Sequence, residues 1–246
     1  MAYDERGLRF GEVAEQYDQH RPPPPPEAAG LFGDLHGLEV LEVGAGTGLW
    51  SRFLIELGAT LTIVEPDDAM RSVLERRSPQ IQSLAGAAES LPVPDASVDV
   101  VVVTSAWHWF EQPAATREMA RVLRDDGRLF VLWNGFSRKV PWMNRLTELR
   151  ENPNDVNARP RGWSATFPDD GTFIDALNVE IDWTWPRTPE QVFAVFGTYS
   201  GTLVKSEADR QAMEVELRRR IDELAHDGML ALPMTLRGTI AKRSAR

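Results

Sequence analysis

Seven consecutive residues, Glu42, Val43, Gly44, Ala45, Gly46, Thr47 and Gly48, constrain the fold of this chain more than any other stretch. They follow a short apolar run over residues 38–43, broken by Glu39 and Glu42, and they precede a helical pattern over 49–57. Apolar strand, glycine turn and helix, in that order, form the opening unit of a doubly wound α/β sheet, whose ligands sit outside the carboxyl ends of its strands. The alternation continues downstream. Residues 60–64 alternate β-branched and apolar side chains and end at Glu65 and Pro66, after which Asp67 or Asp68 is placed to cap a helix reaching about Arg77.

A third short strand is expected over 81–84. The β-branched run Val98–Thr104 has the pattern of a parallel strand buried on both faces. Helical spacing over 112–123 leads through a turn at 125–127 to a strand over 128–133. The period then loosens over 134–171, which reads as an inserted cap or lid. A strand is expected over 179–185, helices over 189–199 and 207–226, and a last strand over 229–241. The proline run from Pro22 to Pro26 reads as a stiff connector between a helix around 10–20 and one opening near Pro26, because proline suits a first helical turn. Strands alternating with helices imply a largely parallel sheet with right-handed crossovers. A chain of 246 residues is the size of one such domain. Within it we expect an N-terminal cap segment (1–33), a cofactor-binding core (38–133), a lid or acceptor-binding insertion (134–175) and the C-terminal part of the sheet (176–246).

Composition narrows the chemistry. Without cysteine, disulfides, thiolate metal sites and cysteine nucleophiles are excluded together. Twenty-seven Lys and Arg against thirty-seven Asp and Glu give a formal charge of -10, which repels phosphate backbones, so no nucleic-acid partner is expected. The basic spots at Arg218, Arg219 and Arg220 and from Lys242 to Arg246 read as solvated surface. No apolar run approaches the length of a membrane span and the N-terminus lacks an apolar signal region, so a cytoplasmic monomer or homodimer is expected.

The glycine spacing discriminates among ligands. Dinucleotide sites use G-x-G-x-x-G, whereas Gly44, Gly46 and Gly48 are spaced G-x-G-x-G. Glu42 at the strand end would repel a pyrophosphate and welcome a cationic ligand; S-adenosylmethionine, with an ammonium and a sulfonium, is one. Glu65, ending the next strand, lies where ribose hydroxyls are read.

With these residues the chain resembles the class I S-adenosylmethionine-dependent methyltransferases, of the broad group that includes trans-aconitate-like enzymes. The resemblance implies a Rossmann-like seven-stranded sheet in the order 3-2-1-4-5-7-6, the last strand antiparallel, with helices on both faces. It implies that the loop holding Gly44, Ala45, Gly46 and Gly48 wraps the methionine part of the cofactor and that Glu65 binds the ribose. The segment from Gly86 to Pro92 is similar to the family's adenine-binding stretch, with Ala88 and Glu89 bordering the base; the family commonly has Asp where this chain has Ala87, which leaves that contact to backbone groups or Glu89. Tyr17, Arg21 and Pro22 match a segment that folds over the cofactor, where Arg21 would meet the methionine carboxylate. Glu42, Pro66 and Thr104, at the ends of three strands, complete the candidate cofactor set.

Methyl transfer from a sulfonium is an in-line displacement, so alignment and exclusion of water are the main demands on the protein. After the fourth strand come Ser105, Ala106, Trp107, His108, Trp109 and Phe110, which would face the methyl group. His108 is the candidate general base, with a wall residue as the alternative. Trp107, His108, Trp109, Trp133 and Trp142 are candidate acceptor-binding residues, and Trp163 has the same aromatic character. The segment lacks the Asp/Asn-Pro-Pro-aromatic motif of amino-methylating enzymes acting on nucleic acids. Thr104 and Ser105 stand where metal-dependent relatives supply carboxylates, so no metal is expected. The expected activity is metal-independent methyl transfer to a small molecule. The alternatives are a cofactor-binding protein without catalysis, a methyltransferase acting on RNA or protein, and an NAD-type oxidoreductase.

Overall fold

A computed structural model, which describes residues 9–150 and 164–245, shows one mixed sheet of seven strands. In chain order these are β1 (Glu39–Val43), β2 (Thr60–Val64), β3 (Gln82–Leu84), β4 (Val98–Thr104), β5 (Leu123–Phe136), β6 (Phe173–Arg187) and β7 (Leu230–Arg243). Their spatial order is β3-β2-β1-β4-β5-β7-β6. The first five are parallel to one another, and β7 runs antiparallel between β5 and β6. The expected strand order and orientation are those observed.

Nine α-helices lie among the described residues: α1 (Ala14–His20), α2 (Ala29–Phe32), α3 (Leu49–Glu56), α4 (Asp68–Arg77), α5 (Gln112–Val122), α6 (Pro141–Glu148), α7 (Pro189–Gly197), α8 (Ser200–Leu203) and α9 (Glu207–Leu224). Their starts follow from local chemistry. Asp67 caps α4 by accepting from the amides of Ala69 and Met70 at 2.9 and 3.0 Å. Thr188 and Gln191 form a capping box on α7, with Pro189 in the first turn.

The valines of β4 show how the sheet is covered. Val101 and Val103 point to the face packed by Ala115 and Met119 of α5, while Val100 and Val102 point to the face packed by Phe32, Trp50 and Leu54 of α2 and α3. All four are fully buried, contributing about 1.5–3 kcal/mol each. A third cluster, including Phe136, Met143, Trp185, Phe196 and Leu217, joins α6, α7 and α9 to the antiparallel end of the sheet.

Three strands are longer than the sequence pattern suggested. β5 and β7 extend each other through nine paired positions, Arg128↔Lys242 to Phe136↔Met234. β6 starts at Phe173 rather than 179, because its first half is an exposed edge held by pairing to β7 and shows no apolar alternation. The expected insertion over 134–175 therefore includes the end of β5, helix α6 and the start of β6. Part of it, 151–163, lies outside the described residues, and Trp163 with it. The helix expected over 189–199 ends at Gly197, and a short helix that the sequence did not signal, α8, follows from Ser200, with Tyr199 at the junction.

Candidate functional site

Strand order reverses between β1 and β4, so the loops leaving their carboxyl ends border one crevice. Gly44 shows how near they are: a Cβ built there would lie 2.6 Å from Ala106 Cβ and 3.4 Å from Phe110 Cζ. Gly44, Gly46 and Gly48 have φ of +72°, +57° and +83°, the left-handed region that glycine alone enters freely. Two of the three are demanded by the protein's packing on itself, since a Cβ at Gly48 would meet Leu74 Cγ of α4 at 2.9 Å. Gly46 differs. Nothing lies within 4 Å of its would-be Cβ, so the backbone there is open to a ligand.

Glu42, at the last turn of β1, is fully buried. Its Oε2 accepts from Ser51 Oγ of α3, whereas its Oε1 has no partner among the described residues. Burial pushes its carboxyl up to about 8, with the Ser51 bond opposing and the neighbouring charge of Glu65 adding to the rise; Arg52 and the nearby Thr104 hydroxyl also oppose it. Thr47 Oγ1 in the glycine loop is a second buried polar atom without a partner among the described residues. Buried polar groups are normally satisfied, and a carboxyl oxygen without a protein partner among the described residues, at the end of the strand leading into the glycine turn, suits a cationic or hydrogen-donating ligand.

Glu65 ends β2 at 2% exposure and is raised to about 7, again first by burial, with backbone bonds to Asp67 and Gly46 opposing. Its Oε2 accepts from the Gly46 amide at 2.8 Å and its Oε1 from the Asp67 amide at 2.9 Å. Each oxygen keeps a second lone pair for a ligand hydroxyl. Nothing local in the sequence signals this bracing role, which depends on β1 and β2 lying side by side. Glu65→Ala should therefore weaken ligand binding and also lower the melting temperature, since two amide donors lose acceptors at about 1–3 kcal/mol each. An unchanged melting curve would show that the brace carries no stability.

The other candidates divide into three groups. Thr104 lies beside Glu42, and Tyr17 is half-buried with its hydroxyl pushed up first by burial, Glu65 and Glu42 adding to the rise and Arg21 opposing it. Arg21 stacks over the rings of Tyr199 at 3.8 Å and Tyr17 at 4.7 Å, and donates to Thr198 O at 3.1 Å. The N-terminal segment is thus docked on the α7–α8 junction, a contact across 177 residues that the sequence could not signal.

Ala45 and Ala88 are buried in the two core clusters, so any ligand contact there is through backbone, and Pro66 is exposed. Glu89 Oε1 accepts from the Glu111 amide at 2.7 Å, which engages it in anchoring the start of α5. Trp107, His108 and Trp109 form a short 3-10 turn after β4; Trp107 is 2% exposed and packs on Phe110 and Phe167, while the His108 ring lies 4.8 Å from that of Trp109. Trp133 of β5 reaches His108. Trp142 does not join them. It sits on α6 against the third cluster and lines a cleft of about 320 Å³ with Arg145, Arg219 and Arg220.

Arg52 was missed in the sequence: it donates to Thr47 O at 3.2 Å and to Asp18 Oδ1 at 2.8 Å, linking the glycine loop to α1. A polar residue on an amphipathic helix gives no signal of a partner 34 positions away.

Comparison with known proteins agrees with this geometry. A family model described as a methyltransferase domain matches residues 41–131, which run from within β1 through β2, β3 and β4 to most of β5. An uncharacterized methyltransferase of Mycobacterium tuberculosis is 34% identical over 240 residues, covering 95% of this chain and 96% of its own length. Among solved structures, a candidate type II methyltransferase of Anaeromyxobacter dehalogenans superposes with a TM-score of 0.63 at 22% identity, over 91% of this chain and 97% of its own. Phosphoethanolamine N-methyltransferase 2 of Haemonchus contortus, solved with phosphomonomethylethanolamine and S-adenosylhomocysteine, gives a TM-score of 0.55 at 13% identity, over 100% of this chain and 60% of its own. The structural matches speak for the fold and the sequence match for descent, and together they place the chain in the class I S-adenosylmethionine-dependent methyltransferase family.

Proposed function

We propose that the protein binds S-adenosylmethionine in the crevice between β1 and β4 and methylates a small-molecule acceptor without a metal. The observation that carries this reading is the buried Oε1 of Glu42, without a partner among the described residues, on the strand that leads into the turn holding the open Gly46. Those residues fit the cofactor's chemistry. Glu42 offers a carboxylate to a cationic group, the Gly46 backbone permits close approach, and Glu65 keeps lone pairs for the ribose hydroxyls. Tyr17 and Arg21 would close the crevice from the N-terminal side. When bound, the cofactor supplies an electrophilic methyl on a sulfonium. The chain's own part is to orient the acceptor at the turn after β4 and to exclude water, which Trp107, Trp109 and Phe110 suit by their apolar bulk. His108 sits in that turn within reach of the acceptor side. A small molecule is favoured over RNA by the formal charge of -10.

Calorimetry tests the cofactor directly: S-adenosylmethionine and S-adenosylhomocysteine should bind, and NAD and FAD should not. Equal or tighter binding of NAD would overturn the reading. Incubation with labelled S-adenosylmethionine and metabolite pools should then yield S-adenosylhomocysteine and a methylated product; binding without turnover would favour a cofactor-binding protein that has lost catalysis.

A further inference from the structure

The chain leaves β4 through Ser105, whose φ of +55° is uncommon for a residue with a side chain. Its amide donates to Leu132 O of β5 at 2.7 Å, which draws the turn Trp107–Trp109 against that strand. The next residue of β5 is Trp133, and its Nε1 lies 3.2 Å from His108 Nδ1. An indole N–H can only donate, so Nδ1 must present a lone pair. A neutral imidazole carries one proton, which is then on Nε2.

We infer that Trp133 is a positioning residue that holds neutral His108 as the Nε2–H tautomer, so that His108 offers the acceptor a hydrogen-bond donor rather than a base. The inference rests on reading this crevice as the methyl-transfer site. For His108 to take a proton, Nδ1 would have to release the Trp133 bond. That would break the hydrogen bond that Trp133, only 7% exposed, makes to this ring. A donor at Nε2 suits an acceptor molecule that presents an oxygen or nitrogen lone pair and does not need His108 to remove its proton. Specificity then comes from hydrogen bonding to that lone pair, since a site built to donate rejects analogues that cannot accept.

Nitrogen-15 NMR of the imidazoles reads the tautomer without any acceptor in hand. The chain has four histidines, and comparison with His108→Gln assigns the resonance. At a pH where the ring is neutral, the parent protein should show His108 with a protonated Nε2 and a bare Nδ1. In Trp133→Phe the donor is lost, and the two nitrogens should move toward an averaged mixture of tautomers. A protonated Nδ1 in the parent protein would overturn the inference whatever the variant does, and so would a tautomer unchanged in a folded Trp133→Phe. The outcome is separable from the methyl-transfer reading: a protein that shows the Nε2–H form yet binds no S-adenosylmethionine keeps the positioning role and loses the proposed function.

Discussion

Gly44→Ala and Gly46→Ala should fail in different ways. Both place a side chain at positive φ, which costs roughly 1–2 kcal/mol for an L-residue. At Gly44 the new methyl also lands 2.6 Å from Ala106 Cβ, a neighbour that cannot swing aside by changing rotamer. Overpacking of that kind adds about 1–3 kcal/mol. The sum, about 2–5 kcal/mol, is a large fraction of a typical domain's stability and should lower the melting temperature by about 5–20 °C. At Gly46 the methyl meets no protein atom, so the loss should be only a few degrees. The cost appears instead in binding, where the methyl occupies space open to the ligand, and S-adenosylhomocysteine affinity should fall about tenfold or more, equivalent to about 1.4 kcal/mol. Thermal melts and calorimetry on both variants separate the effects. If Gly46→Ala binds like the parent, the ligand does not approach that backbone and the loop is a structural turn.

That contrast marks where sequence reading stops. Three positive-φ glycines between a strand and a helix were legible because glycine spacing records backbone demands locally. Which of them faces open space depends on Ala106 and Leu74, far along the chain. The parallel half of the sheet was legible for the same local reason: β2 and β4 have the bounds expected of them, since strands buried by helices carry continuous apolar runs. The antiparallel half was less so. The exposed first half of β6 is specified by pairing rather than by burial, and its sequence resembles a loop.

The candidate site follows the same division. Glu42 and Glu65 were readable as strand-end carboxylates, but the bracing bonds of Glu65 were not. The placement of Trp142 was not legible either, since an aromatic in a segment without a period carries no address, and α6 takes it into the third cluster. The contacts of Arg21 with Tyr199 and of Arg52 with Asp18 were equally hidden. They arise only when the N-terminal segment docks on the finished domain.

Cofactor binding should release protons, and Glu42 should be their main source at neutral pH. Its carboxyl stands at about 8 and that of Glu65 at about 7, each lifted first by burial from an ordinary 4.5. In the free folded chain the ionised forms are disfavoured. The stability these groups contribute is therefore complete below about 4.5 and declines as pH rises through about 7 for Glu65 and about 8 for Glu42. A ligand that brings positive charge to Glu42 Oε1 favours the ionised form, so the carboxyl must shed its proton on binding. Near neutral pH the release should approach one proton per ligand, and affinity should rise by up to about tenfold per pH unit until it levels above the Glu42 range. Calorimetry in buffers of different ionisation heat counts the protons. Glu42→Gln keeps the shape and the Ser51 contact while removing the charge. It should bind at least about tenfold more weakly than the parent above pH 8, release no proton from this site, and melt higher than the ligand-free parent there because no buried carboxylate has to ionise. Equal affinities for parent and variant across that whole range would mean that no cationic part of the ligand faces Glu42, and the proposed cofactor site would lose the observation it stands on.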